Sequence, residues 1–149
     1  MVARPSKNDD GSQNMLVWEC KIPALQNSIW HPAILSATLK FTEEYPTRPP
    51  KVYLNPIKGE PVVHPNVFRD GHVCLSIVNQ PESTHGYGRG GNWSPSISVK
   101  QILQALQVFL DGGDGFASGR RDIYDLFKHN REEYVRRVKL QVAKAEHIA

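Results

Sequence analysis

The sequence predicts an α+β domain with its strands first and its helices last. Apolar and polar residues alternate over 16–22 and again over 34–41, while apolar residues take up helical spacing only after residue 98. Between these blocks, a proline cluster at 45–50 excludes helix. Strands joined by short loops and then followed by helices read as an antiparallel β-meander with C-terminal helices packed against or beside it.

Residues 1–14 are polar and carry a turn-forming cluster, Asn8-Asp9-Asp10-Gly11-Ser12. In the first strand Leu16, Trp18, Cys20 and Ile22 alternate with Val17, Glu19 and Lys21, which puts Cys20 inward as core filling; Pro23 closes it. In the second, Leu35, Ala37, Leu39 and Phe41 alternate with Ser36, Thr38 and Lys40, and residues 51–55 make a short third strand. A polar insertion over 78–92 leads to Trp93-Ser94-Pro95. The strongest helix then places Val99, Ile102, Leu103, Leu106, Phe109 and Leu110 on one face. Ser98 and Gln101 fit a capping box at its start, and Gly112-Gly113 supplies its stop. A shorter helix is predicted over 120–128 around Ile123, Leu126 and Phe127. The last helix starts from Asn130 as N-cap, with Glu132 and Glu133 in its first turn. Its inner face carries Tyr134, Val138, Val142 and Ala145, and Glu132–Arg136 and Glu133–Arg137 stand at i, i+4.

At 149 residues and 40% hydrophobic content, the chain is expected to form one domain, 1–149, with a single core. No apolar run approaches the ~20 residues of a membrane span, and the opening residues lack the apolar stretch of a secretory signal. Two cysteines without regular spacing give neither a disulfide framework nor a zinc site, and six histidines share no metal-ligand spacing. They suit a reducing compartment, so a nuclear and cytoplasmic location is expected. A net charge of +3 is compatible with an acidic protein partner but too mild to indicate nucleic acid.

The chemistry centres on residues 64–77, where Cys74 stands eight positions after Asn66, itself directly behind Pro65. A thiol with a rigidly placed amide is what acyl transfer through a thioester requires: sulfur carries the acyl group and the amide steadies the oxyanion. His64-Pro65-Asn66 leading to this cysteine resembles the active-site signature of the enzymes that conjugate ubiquitin-like proteins. Trp18-Glu19-Cys20, Tyr45-Pro46 followed by Pro49-Pro50-Lys51, and Val73-Cys74-Leu75-Ser76-Ile77 extend the resemblance, in order, toward the SUMO-conjugating branch. Trp93 with Pro95, and Ile97-Ser98-Val99-Lys100-Gln101-Ile102-Leu103, continue it.

The resemblance implies the family's fold and a transferase that accepts SUMO as a thioester on Cys74 and passes it to substrate lysines. It implies no cofactor and no metal. The partners it implies are SUMO, a SUMO-activating enzyme, SUMO ligases and lysine-containing protein substrates, with no nucleic acid and no membrane. Asn66 would hold the oxyanion or prop the loop. Phe68 would form one wall of a groove that desolvates the incoming lysine, with Ala117, Ser118 and Tyr124 around its gate. His64 and Pro65 would be structural. Lys51, Asp70 and His72 match the positions where relatives read an acidic residue two places after the target lysine; Asp70 should weaken that reading unless it points away or pairs with a cation. No general base is evident beside Cys74, with His72 expected on the opposite side of an extended backbone.

Three departures from the family accompany the resemblance. The family's first helix has no counterpart before Val2, the insertion over 78–92 is longer than in relatives, and Ala117 stands where the SUMO branch has an Asp, with Asp114, Asp122 and Ser118 as deputies. The insertion is either a surface loop or a gate to Cys74. Its Gly86-Tyr87-Gly88-Arg89-Gly90-Gly91 fits a dinucleotide fingerprint on paper, but no strand precedes it and no helix opens on it. Two rival readings keep the fold: a ubiquitin-conjugating enzyme, and a non-catalytic modifier-binding variant.

Overall fold

Four antiparallel strands lie side by side in chain order in the computed structural model, which describes residues 1–79, 91–112 and 120–149. They are β1 (Val2–Lys7), β2 (Gln13–Pro23), β3 (Ala33–Lys40) and β4 (Lys51–Leu54). Three helices follow, α1 (Val99–Phe109), α2 (Arg121–His129) and α3 (Arg131–Lys144), and a two-residue strand, β5 (Glu146–His147), pairs with the start of β3. This is the α+β order that the alternation and the late helical spacing predict.

β1 lies in the stretch read as a polar lead-in. Its residues show no apolar alternation, yet they pair along β2 from Val2 opposite Lys21 to Lys7 opposite Gln13. The turn cluster closes this hairpin: the Asn8 N–H donates to the Ser12 carbonyl at 2.8 Å, and Gly11 takes a φ of 88° that glycine adopts without strain. Pro5, which has no N–H to give, is tolerated on the outermost strand beside a register shift at Ser6.

Cys20, Ile22, Leu35, Ala37 and Leu39 from the sheet join Ile102, Leu103 and Leu106 of α1 in one buried core. Cys20 is 1% exposed, and its burial, helped by Glu19, pushes the thiol up to about 11. Leu16, predicted inward, is exposed; with Trp18, Phe41 and Tyr45 it borders a surface groove.

The helix ends follow local chemistry. Ser98 Oγ accepts the Gln101 N–H at 3.1 Å and Gln101 Oε1 accepts the Ser98 N–H at 2.8 Å, closing the capping box. Asn130 Oδ1 accepts the Glu133 N–H at the start of α3. Arg136 turns to Glu133 rather than to the predicted Glu132, and Glu133 also receives Arg137, because one carboxylate can serve both guanidinium groups. Tyr134, Val138 and Val142 of α3 are buried as expected, and Gln141 is buried with them.

Candidate active site

The site begins at a segment fixed from behind by α3. Gln141 Oε1 accepts the Val63 N–H and its Nε2 donates to the Pro61 carbonyl, both at 2.8 Å. The next residue, His64, has no exposed surface. Its Nδ1 accepts the Asn66 N–H at 3.0 Å, so the ring proton is on Nε2. That Nε2–H faces the carbonyls of Phe109 (2.8 Å) and Gly112 (2.7 Å) at the end of α1, where the last carbonyls have no partner within the helix; that of Phe109 also accepts the Gly112 N–H at 3.1 Å. Burial pushes the His64 pKa down to about 4, against the upward pull of those carbonyls and Asp111. The imidazole is therefore neutral at physiological pH, with its lone pair occupied; it is not placed to act as a base. Pro65 is buried beside it.

Residues 66–74 double back as a hairpin. The Cys74 N–H donates to the Asn66 carbonyl at 3.3 Å, Val67 bridges Val73, and the Phe68 N–H donates to the His72 carbonyl at 2.9 Å. The separation of eight positions between Asn66 and Cys74 thus closes to a single rung. Gly71 makes the tip possible, with φ 93° and no side chain to strike the Leu54 carbonyl. The returning strand docks on β4 through Val73 N–H to Val52 carbonyl and Leu54 N–H to Gly71 carbonyl, both 2.9 Å.

Burial sorts the hairpin's side chains. Val67 and Val73 point into the core, Asn66 is 1% exposed, and Cys74 is half-buried, in contrast to Cys20. His72 does not lie opposite Cys74 as the sequence reading had it. Along an extended backbone alternate residues share a face, so with Val73 turned inward, His72 and Cys74 flank it on the half-exposed side. Two residues of extended backbone set their Cα atoms about 7 Å apart.

His72 instead contacts Phe68 and Tyr53, at ring-centroid distances of 5.7 and 5.6 Å, and Lys40 lies over Tyr53. Burial lowers the His72 pKa, with Lys51 adding to the effect and Asp70 opposing it. The Asp70 carboxylate folds back on its own turn and accepts the His72 N–H at 3.0 Å. Lys51, exposed at the start of β4, and His72 both line a hollow of about 280 Å³ beside Val73.

On the other side, Arg69 at the hairpin tip meets Asp122 in the first turn of α2 at 3.5 Å, and Asp122 also takes the Nε–H of the buried Arg120 at 3.3 Å. Burial works to raise the Asp122 pKa, but Arg120 and then Arg69 outweigh it and leave it below the usual carboxylate range. Tyr124 is half-buried in the same turn, its N–H bonded to the Arg120 carbonyl. Ala117, Ser118 and Asp114 lie outside the described residues, as does the glycine-rich run through Gly90.

Sequence reading did not anticipate Gln141, Arg69 or Arg120 as parts of this site. Gln141 had a readable signal, since it lies three residues after Val138 on the helix face that includes Tyr134 and Ala145. Among the described residues, no group of three His, Cys, Asp or Glu side chains is placed to hold a metal ion. Also among them, no helix is long and apolar enough to cross a membrane.

The model of the ubiquitin-conjugating enzyme family matches residues 2–142. Similar curated proteins include the SUMO-conjugating enzyme UBC9 of Caenorhabditis elegans, 34% identical over 143 residues (96% of this chain, 78% of the relative). SUMO-conjugating enzyme SCE1 of Arabidopsis thaliana is 39% identical over 140 residues (94% and 79%). The SUMO-conjugating enzyme ubc9 of Dictyostelium discoideum is 37% identical over 139 residues (93% and 79%).

Proposed function

This chain belongs to the ubiquitin-conjugating enzyme family, and on that premise we propose that it carries SUMO as a thioester on Cys74 and transfers it to lysines of protein substrates. The Cys74 thiolate attacks the thioester carbonyl presented by a SUMO-activating enzyme, the S–C bond forms, and the activating enzyme's thiol leaves. A substrate lysine then attacks the same carbon. The C–S bond breaks, Cys74 leaves as thiolate, the nitrogen sheds its proton to solvent, and an isopeptide bond remains. SUMO ligases would bring substrate and charged enzyme together.

The observation that carries the proposal is the rung joining Asn66 to Cys74 in a hairpin that leaves Cys74 partly exposed while burying Asn66. A buried Asn66 favours the loop-propping role in the resting chain. The thiolate is the attacking form of a cysteine. The acyl group reaches it already activated, as a thioester, so the exchange is between two thiol esters of similar energy. For the attacking lysine, each unit by which desolvation lowers its pKa raises the free-amine fraction roughly tenfold. Phe68 and Tyr124 are the described residues assigned to that wall.

SUMO is favoured over ubiquitin by Cys74-Leu75-Ser76-Ile77 and by the names of the relatives. The test is charging in vitro with each modifier and its own activating enzyme. A reductant-sensitive adduct should form with SUMO and vanish in Cys74→Ala. An adduct with ubiquitin alone would move the chain to the other branch, and none with either would return it to a binding role.

A further inference from the structure

The hollow beside the Cys74 strand is lined by more cationic chemistry than Lys51 alone provides. Arg48, Lys51 and His72 line it together with Thr42, Asn79 and the apolar Val52, Val73 and Val78. Among the described residues that line it there is no Asp or Glu. Asp70, two residues before His72, is tied to the His72 N–H instead, and Glu43, next to Thr42, does not line the hollow. Arg48 and Lys51 are separated by Pro49-Pro50, a stiff extended spacer that sets their backbones about 9 Å apart at ~3.1 Å per residue. Two long side chains at that separation can converge on one carboxylate.

Arg48 already has a partner outside the hollow. Its N–H donates to the Glu44 carbonyl at 3.1 Å and its guanidinium pairs with the Glu44 carboxylate. Both side chains of that ion pair are more than half exposed, at 58% and 64%, so water screens it and an incoming anion displaces it at little cost. Glu44 does not line the hollow.

We propose that Arg48 is a specificity-determining residue that reads an acidic side chain of the substrate beside Lys51, and that Glu44 restrains it by competing for the same guanidinium. This rests on the reading of Cys74 as thioester carrier, which places an acceptor peptide across the hairpin. The two halves move in opposite directions: losing Arg48 weakens discrimination for acid, and neutralising Glu44 sharpens it.

The test compares a lysine-containing peptide bearing Glu two places after the lysine with its Gln twin. Single-turnover discharge of SUMO from the charged protein gives a Glu-to-Gln rate ratio. Chemical-shift titration of the uncharged protein with the same two peptides gives a binding ratio. In Arg48→Ala both ratios should fall roughly three- to tenfold, and in Glu44→Gln both should rise about two- to threefold. If no thioester forms, the carrier reading fails, and the titration alone decides the role of Arg48. Ratios that stay within about twofold of the unaltered protein in Arg48→Ala overturn the assignment. An unmoved or lowered ratio in Glu44→Gln overturns the restraint.

Discussion

His64 Nε2 stands 2.8 Å from the carbonyl oxygen of Phe109, and the two rings stack with centroids 4.1 Å apart. The loop that leads into the active-site hairpin is thereby bonded to the end of α1; protonation would leave this donor in place but end the acceptance of the Asn66 N–H at Nδ1 and put a charge in a buried site. The folded pKa, about 4, lies below the ordinary 6.5. The associated stability is therefore complete above pH 6.5 and drains away as pH falls toward 4, by roughly 3 kcal/mol in all. His72, also lowered, acts in the same direction. Urea unfolding at pH 7.5 and at pH 5 should show the native protein losing stability on acidification, with His64→Asn, less stable at pH 7.5, losing less. Equal losses in the two proteins would remove His64 as the cause.

Gly71 carries two constraints at once. Its φ is 93°, and a Cβ built there would sit 2.5 Å from the Leu54 carbonyl oxygen, a backbone atom of β4. Gly71→Ala should cost about 2 kcal/mol or more. Relief by shifting the tip would also lengthen the Leu54 N–H to Gly71 carbonyl bond that seats the Cys74 strand. Thermal unfolding and thioester formation should both suffer. A variant with native melting and native charging would mean that the tip tolerates the methyl group.

Much of this molecule was legible because the chemistry is local. The capping box of Ser98 and Gln101 and the Asn130 cap each lie within a few residues, where side-chain type and spacing decide the outcome. The closeness of Asn66 and Cys74 was legible for the same reason, since a hairpin of nine residues is enough to join them. β1 was not, because its partner and not its own pattern makes it a strand. Nor were the contacts of His64 with Phe109, Gln141 with Pro61, and Arg69 with Asp122, which span 45 or more positions and exist only once the helices pack. His72 was misplaced by a misapplied period: strand side chains two apart share a face.

Gln141 connects α3 to the segment before His64 through both ends of its amide. Gln141→Leu keeps most of the volume and removes both bonds, leaving the Val63 N–H and the Pro61 carbonyl to find other partners in a partly buried setting. The cost should be about 1–3 kcal/mol despite the more apolar side chain. Hydrogen exchange should quicken at Val63 more than at the far end of the sheet. A variant as stable as the parent, with Val63 equally protected, would show the amide to be dispensable.

Asp122 was one of the acids considered to stand in for the missing carboxylate at position 117. Held by Arg120 and Arg69 and kept below the usual carboxylate range, it is a weak proton acceptor and already has cationic partners. An acceptor lysine that meets no acid other than Asp122 would depend more on bulk pH for its free-amine fraction than one beside an unpaired acid. Ala117→Asp should speed single-turnover transfer to a lysine peptide several-fold at pH 7, with the gain shrinking by pH 9, where the amine is already more fully deprotonated. Asp122→Asn should lower the rate much less than Ala117→Asp raises it. If Ala117→Asp gives no gain at pH 7, another group already does this work; if Asp122→Asn also abolishes transfer without unfolding the protein, that group is Asp122.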